Sequence, residues 1–65
     1  MMRFRVVFSR VLWGVAFPVA SLEVCRARDA ARAQLAAELR FMRRLGLEDW
    51  HDHADTVEVE PVGRT

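Results

Sequence analysis

Asp29 and Gly46 bracket the one long helix-forming run in this chain, so the remaining residues must be arranged around a single helix. Residues 30–45 are dominated by Ala, Leu, Gln, Glu, Arg and Met, all good helix formers. The Asp29 carboxylate can accept first-turn amide hydrogens, and Arg40, Arg43 and Arg44 complement the negative end of the helix dipole. Gly46 supplies the left-handed stop. Ala31, Leu35, Leu39 and Met42 are spaced by four, four and three, which predicts one apolar stripe facing a core. Two starts fit the pattern. With Asp29 as the cap, residues 22–27 extend a preceding strand. With Ser21 as the cap, the helix runs from 22 to 45, and Val24 and Ala27 prolong the stripe. The Asp29 start is preferred.

Upstream the period changes from helical to two. Met2, Phe4, Val6 and Phe8 alternate with Arg3, Arg5, Val7 and Ser9 in residues 2–9, the pattern of a half-buried strand. Gly14 is the natural turn between this strand and a second one, and Pro18 belongs on a sheet edge or at a bend. Downstream of the helix, residues 47–55 form a polar loop. Thr56-Val57-Glu58-Val59-Glu60 then alternates with both Val inward and both Glu outward, and Pro61 and Gly63 end it. The expected fold is α+β, a three-stranded antiparallel sheet with one amphipathic helix in ββαβ order. Residues 1–65 are read as a single domain.

One helix covers one face of such a sheet. Val7, Val11 and Trp13 fall opposite Phe4, Val6 and Phe8, so the uncovered face is expected to be apolar and to meet a partner. Trp13 and Trp50 are expected as exposed anchors, because Trp is enriched at interface hot spots. Phe4, Phe8, Trp13 and Phe17 otherwise read as core.

Chemistry is sparse. A chain of this size buries only about 60% of its unfolded surface, which leaves little stability to hold a strained active site. No nucleophile with an adjacent base, phosphate-cradling glycine loop or zinc pattern occurs, so no enzyme and no cofactor is expected. His51 and His53, with Asp49, Asp52 and Asp55 around them, are the closest approach to a metal-ligand set. They are incomplete and read as a solvated loop, with no metal expected. Cys25 is the single thiol, cannot form an internal disulfide, and is expected to be a small buried side chain. The first twenty residues imitate a secretory leader, but Arg10 breaks the apolar run and Pro18 sits at the supposed cleavage point. The run from Val11 to Leu22 is too short to span a bilayer as a helix, which needs about 20 residues.

Charge is unevenly placed. Residues 1–45 hold nine Arg, while residues 46–60 hold six acids and no Arg, for a net charge of +1. The acidic segment is therefore a candidate docking surface for a basic groove, formed by Glu48, Asp49, Trp50, Asp52, Asp55, Glu58 and Glu60. The arginine-rich side, with Arg3, Arg5, Arg40, Arg43 and Arg44, supports the alternative of a small nucleic-acid-binding module. A homodimer completed through an edge strand is a third possibility.

The run Ala27-Arg28-Asp29-Ala30-Ala31-Arg32-Ala33, followed by Ala37, resembles the strand-to-helix junction of small phage and mobile-element proteins. These have the form A-x-D-x-x-x-A-x-x-x-A, with the Asp as cap. Asp49-Trp50 and Val57-Glu58-Val59-Glu60 also look like that group, which includes the DpnD-like proteins. The resemblance implies a ββαβ fold and a mobile-element context. It implies no activity, although tiny phage proteins of this kind include anti-CRISPR inhibitors. The functional expectation is a non-enzymatic inhibitor that docks on a basic surface of a bacterial defence complex. Its expected location is the host cytoplasm, with no membrane partner.

Overall fold

The computed structural model describes residues 1–64. Strand β1 (Met2–Leu12) and strand β2 (Val15–Ala27) form a long hairpin. Helix α1 (Ala30–Leu45), a short 3-10 turn (Trp50–Asp52) and strand β3 (Thr56–Arg64) follow. The sheet order is β2-β1-β3 with both pairings antiparallel, so β1 is central and α1 carries the chain from one edge to the other. The three-stranded antiparallel sheet with one helix matches the fold read from the sequence.

The local reasons are visible at each junction. The Asp29 side chain accepts the Arg32 amide at 2.8 Å, so the later helix start is the one adopted and residues 22–27 are strand. Gly46 ends the helix with φ of 67° and its amide on the Met42 carbonyl. Leu12 pairs with Val15 across a two-residue loop, whose Trp13 and Gly14 have φ of 51° and 76°. Positive φ at both positions is the signature of a primed hairpin turn. Strand β1 runs to Leu12 and β3 to Arg64, both further than their clean alternation suggested. Pro18 and Pro61 lie on the edge strands β2 and β3, each beside a register shift, the places in a sheet that tolerate a missing amide.

The core lies between α1 and one face of the sheet. Phe4, Val6 and Phe8 of β1 and Leu22 and Val24 of β2 are buried beneath Ala33, Ala37 and Phe41 of α1, with Trp50 and Ala54 closing one end. Phe8 stacks on Phe41 at a centroid separation of 4.3 Å, and Trp50 meets Phe8 edge-on at 5.5 Å.

This packing corrects the expected helix stripe. Ala33, Ala37 and Phe41 face the sheet, whereas Ala31 is exposed, Met42 is half-buried, and Leu35 and Leu39 are 57% and 47% exposed. The helix carries two apolar stripes on opposite sides. The sheet already supplies the bulk in Phe4, Phe8 and Leu22, so the complementary helix face is the one with small side chains. Alanines let the backbone approach closely, and Phe41 fills the wider end.

The open face of the sheet is a second correction. It was expected to be apolar. Register instead places Arg5 between Glu23 and Glu60, and Val7 between Ser21 and Glu58. Arg5 pairs with Glu60 at 3.2 Å and Arg3 with Glu23 at 3.1 Å. Opposite charges on adjacent strands make this face hydrophilic, apart from half-buried Val7.

Candidate functional site

The apolar surface that the open sheet face lacks is found at the hairpin. Strand β3 pairs with β1 only as far as Ser9, so residues 10–19 extend as a two-stranded arm beyond the three-stranded sheet. The Val11 amide, left without a β3 partner, donates to the Asp55 carboxylate at 2.7 Å, and the Asp55 amide donates to the Ser9 carbonyl. Arg10 donates to the Asp52 carbonyl at 3.1 Å. The base of the arm is thus fixed to the 3-10 turn, while its tip is uncovered.

Val11, Leu12, Trp13, Val15, Phe17 and Val19 are all exposed on this arm. Trp13 is 97% exposed and stands at its tip. By register, Leu12 and Phe17 share a face with Val15, while Val11 lies on the other with Ala16 and Pro18. Both faces of the arm therefore carry exposed apolar side chains, with Arg10 paired to Phe17 on the first of them. Its protrusion shows in the dimensions: the radius of gyration is 11.8 Å, against about 10.7 Å for a compact domain of this length. Trp13 is also held at positive φ, a region that disfavours bulky side chains by about 1–2 kcal/mol. A strained, solvated Trp contributes little to the fold, which directs attention to an intermolecular role.

The acidic segment is dispersed and partly engaged. Trp50, expected as an exposed anchor, is buried because it closes the core against Phe8. Asp49 caps the 3-10 turn and sits 2.7 Å from the His51 ring Nδ1. The His51 side chain, and then its backbone amide, hold the Asp49 carboxyl below its ordinary value. Asp55 holds the arm and Glu60 pairs with Arg5. Among the described residues, Glu48, Asp52 and Glu58 have exposed carboxylates with no cation within ion-pair distance. Glu58 lies on the open sheet face and Glu48 and Asp52 near the turn, so the three are not collected on one element.

The histidines do not converge. His51 stacks on Trp50 at 3.8 Å, and His53 meets Phe41 edge-on at 6.4 Å. Among the described residues no group of three or more His, Cys, Asp or Glu is arranged to hold a metal ion. Cys25, expected to be buried, is exposed, because alternation along β2 puts it on the open side with Ser21 and Glu23, opposite buried Leu22 and Val24. Among the described residues no helix is long and apolar enough to cross a membrane.

A concave site that sequence reasoning missed lies between the end of β2 and α1. It is a cleft of about 340 Å³, and Arg26, Arg28, Arg32 and Arg40 are among its lining residues. Arg32 and Arg40 are eight residues apart, which places them on neighbouring sides of the helix. Arg26 has φ of 63° within the β2 bulge, an irregularity that strict alternation does not foresee. Compared with protein-family models, with curated proteins and with solved structures, the chain matches none.

Proposed function

We propose that this protein is a non-enzymatic binding module that docks on a protein partner through its hairpin arm. The observation that carries the reading is the row of six exposed apolar side chains, Val11 to Val19, with Trp13 fully solvated at the tip. A narrow arm that is apolar on two sides fits a groove or pocket in a protein. Such a pocket buries an aromatic anchor completely, the environment in which Trp contributes most to binding. The acidic residues Glu48, Asp52 and Glu58 serve this reading as a polar rim that speeds approach to a basic surface. An inhibitor of a bacterial defence complex is the narrower form of the same proposal. It is supported by the residue pattern of 27–37.

The alternative, nucleic-acid binding, is supported by exposed Arg40, Arg43 and Arg44 at the end of the helix, since Arg3 and Arg5 are engaged by glutamates. The test is a set of immobilised variants exposed to the same bacterial extract. Trp13→Ser with Phe17→Ser should lose a specific protein that wild type retains, at unchanged folded content by circular dichroism. Glu58→Arg should weaken retention modestly, with a flatter salt dependence. Retention of that protein by the arm variant contradicts the proposal. Recovery of nucleic acid alone, with strongly salt-dependent affinity, favours the alternative.

A further inference from the structure

The arginine-lined cleft is independent of the hairpin arm, and its chemistry is different. Arg26 and Arg28 come from the end of β2 and the junction after it, and Arg32 and Arg40 from successive parts of α1. Met1 and Ala36 contribute apolar wall. Four arginines lining one small cleft bring like charges near one another, a cost that an anion would offset. The chain offers them little compensation. Among the described residues, Arg26 and Arg28 have no carboxylate within 4.0 Å, and Arg32 has only Asp29, at 3.9 Å. Arg40 donates one N–H to the Glu23 carbonyl at 3.2 Å, a neutral acceptor that leaves its charge unbalanced. The first turn of α1 adds its positive dipole end beside Arg28 and Arg32.

The backbone supports the same conclusion. Arg26 is held in the left-handed region at a bulge, where Gly would be unstrained. Arg26 sits at this bulge and is among the residues lining the cleft. A strained residue that carries charge into a concavity is better explained by a ligand than by folding.

We infer that this cleft binds a phosphomonoester group, with the dianion held among Arg26, Arg28, Arg32 and Arg40. Guanidinium donors match phosphate oxygens in pairs, and a dianion balances more of the four charges than a carboxylate does. The cleft volume lies at the lower end of small-ligand sites, about 300–1,000 Å³. A terminal phosphate suits arginines grouped at a single cleft. The phosphodiester chain of a nucleic acid would instead need a track of positive charge running across the surface.

The test is a titration of isotope-labelled protein, followed by amide and guanidinium resonances, with three probes. These are inorganic phosphate, adenosine monophosphate and a short single-stranded oligonucleotide. Phosphate and the monophosphate should give saturable shifts confined to residues 25–32 and Arg40. Arg28→Gln should weaken both by about tenfold or more. Arg26→Gly should weaken them similarly while leaving thermal stability equal or higher, because it relieves the left-handed strain. That variant separates loss of the site from loss of the fold. Arg43→Gln with Arg44→Gln should leave both affinities unchanged. Linear, non-saturating shifts with both phosphate and the monophosphate overturn the inference. So does unaltered affinity in Arg26→Gly, or preferential binding of the oligonucleotide that Arg43→Gln with Arg44→Gln weakens equally.

Discussion

Two residues show how conformation and exposure separate folding from function. Trp13 and Arg26 are the non-glycine residues with positive φ among those described, one in the hairpin turn and the other at the bulge near the end of β2. Replacing Trp13 by Asn gives the Asn-Gly pair that a primed turn prefers. Because Trp13 is almost wholly solvated, the change removes strain and little packing. Trp13→Asn should therefore raise stability by about 1 kcal/mol, measured by chemical denaturation. A loss of stability would mean that the indole supports the arm. Asp49 carries the pH dependence of the 3-10 turn. Its carboxyl is held below the ordinary value of 3.8 by the His51 side chain and amide. A lowered folded-state value means the stabilising contribution is complete above that ordinary value and fades as pH falls through the lowered one. A carboxyl titration followed by NMR should place the Asp49 midpoint below 3.8. In Asp49→Asn the acid-dependent change of the 3-10 turn should disappear.

At the scale of elements, the helix is where the sequence misled most. Its span, cap and stop were legible in Asp29, residues 30–45 and Gly46, because these depend on local backbone chemistry. Its orientation was not. Periodicity fits both the Leu35–Leu39 side and the Ala33–Ala37–Phe41 side, and larger side chains weighted the wrong one. The decisive information is on β1 and β2, whose phenylalanines and Leu22 already fill the space between the layers. Ala37→Leu should destabilise the fold by about 1–3 kcal/mol through overpacking, whereas Leu39→Gln should change it by about 0.5 kcal/mol or less. Thermal unfolding of the two variants checks the assignment, and the reverse ranking would restore the expected stripe. The open sheet face was misjudged for a related reason. Val7 was legible as apolar, but its neighbours across the sheet become known only with the register, and they include Arg5, Glu23, Glu58 and Glu60.

For the whole molecule, the order of elements follows from the sequence, while the shape that results depends on where β3 stops. Ser9 is the last β1 residue paired to β3, and Asp55 then takes the Val11 amide in place of a further strand residue. The hairpin continues alone past that point, so residues that read as a core strand become an exposed arm. The exposure of Trp13 was expected from the enrichment of Trp at interfaces, although the same reasoning failed at Trp50. That of Phe17 and Val19 was not, because nothing local tells a strand that its partner has ended. The arginine cleft was equally hidden, since it joins a bulge to a helix face. Blunted edges at Pro18 and Pro61 direct contact away from sheet extension and toward the arm.

The central claim is that this arm, and not the acidic segment, meets the partner. Photo-crosslinking from single positions tests it most directly, with a photoreactive side chain placed at Phe17 in one protein and at Glu58 in another. The account predicts a discrete protein adduct from position 17 in bacterial extract and a weak or absent one from position 58. A strong adduct from position 58 with none from position 17, or adducts from position 17 only to lipid or nucleic acid, would contradict it.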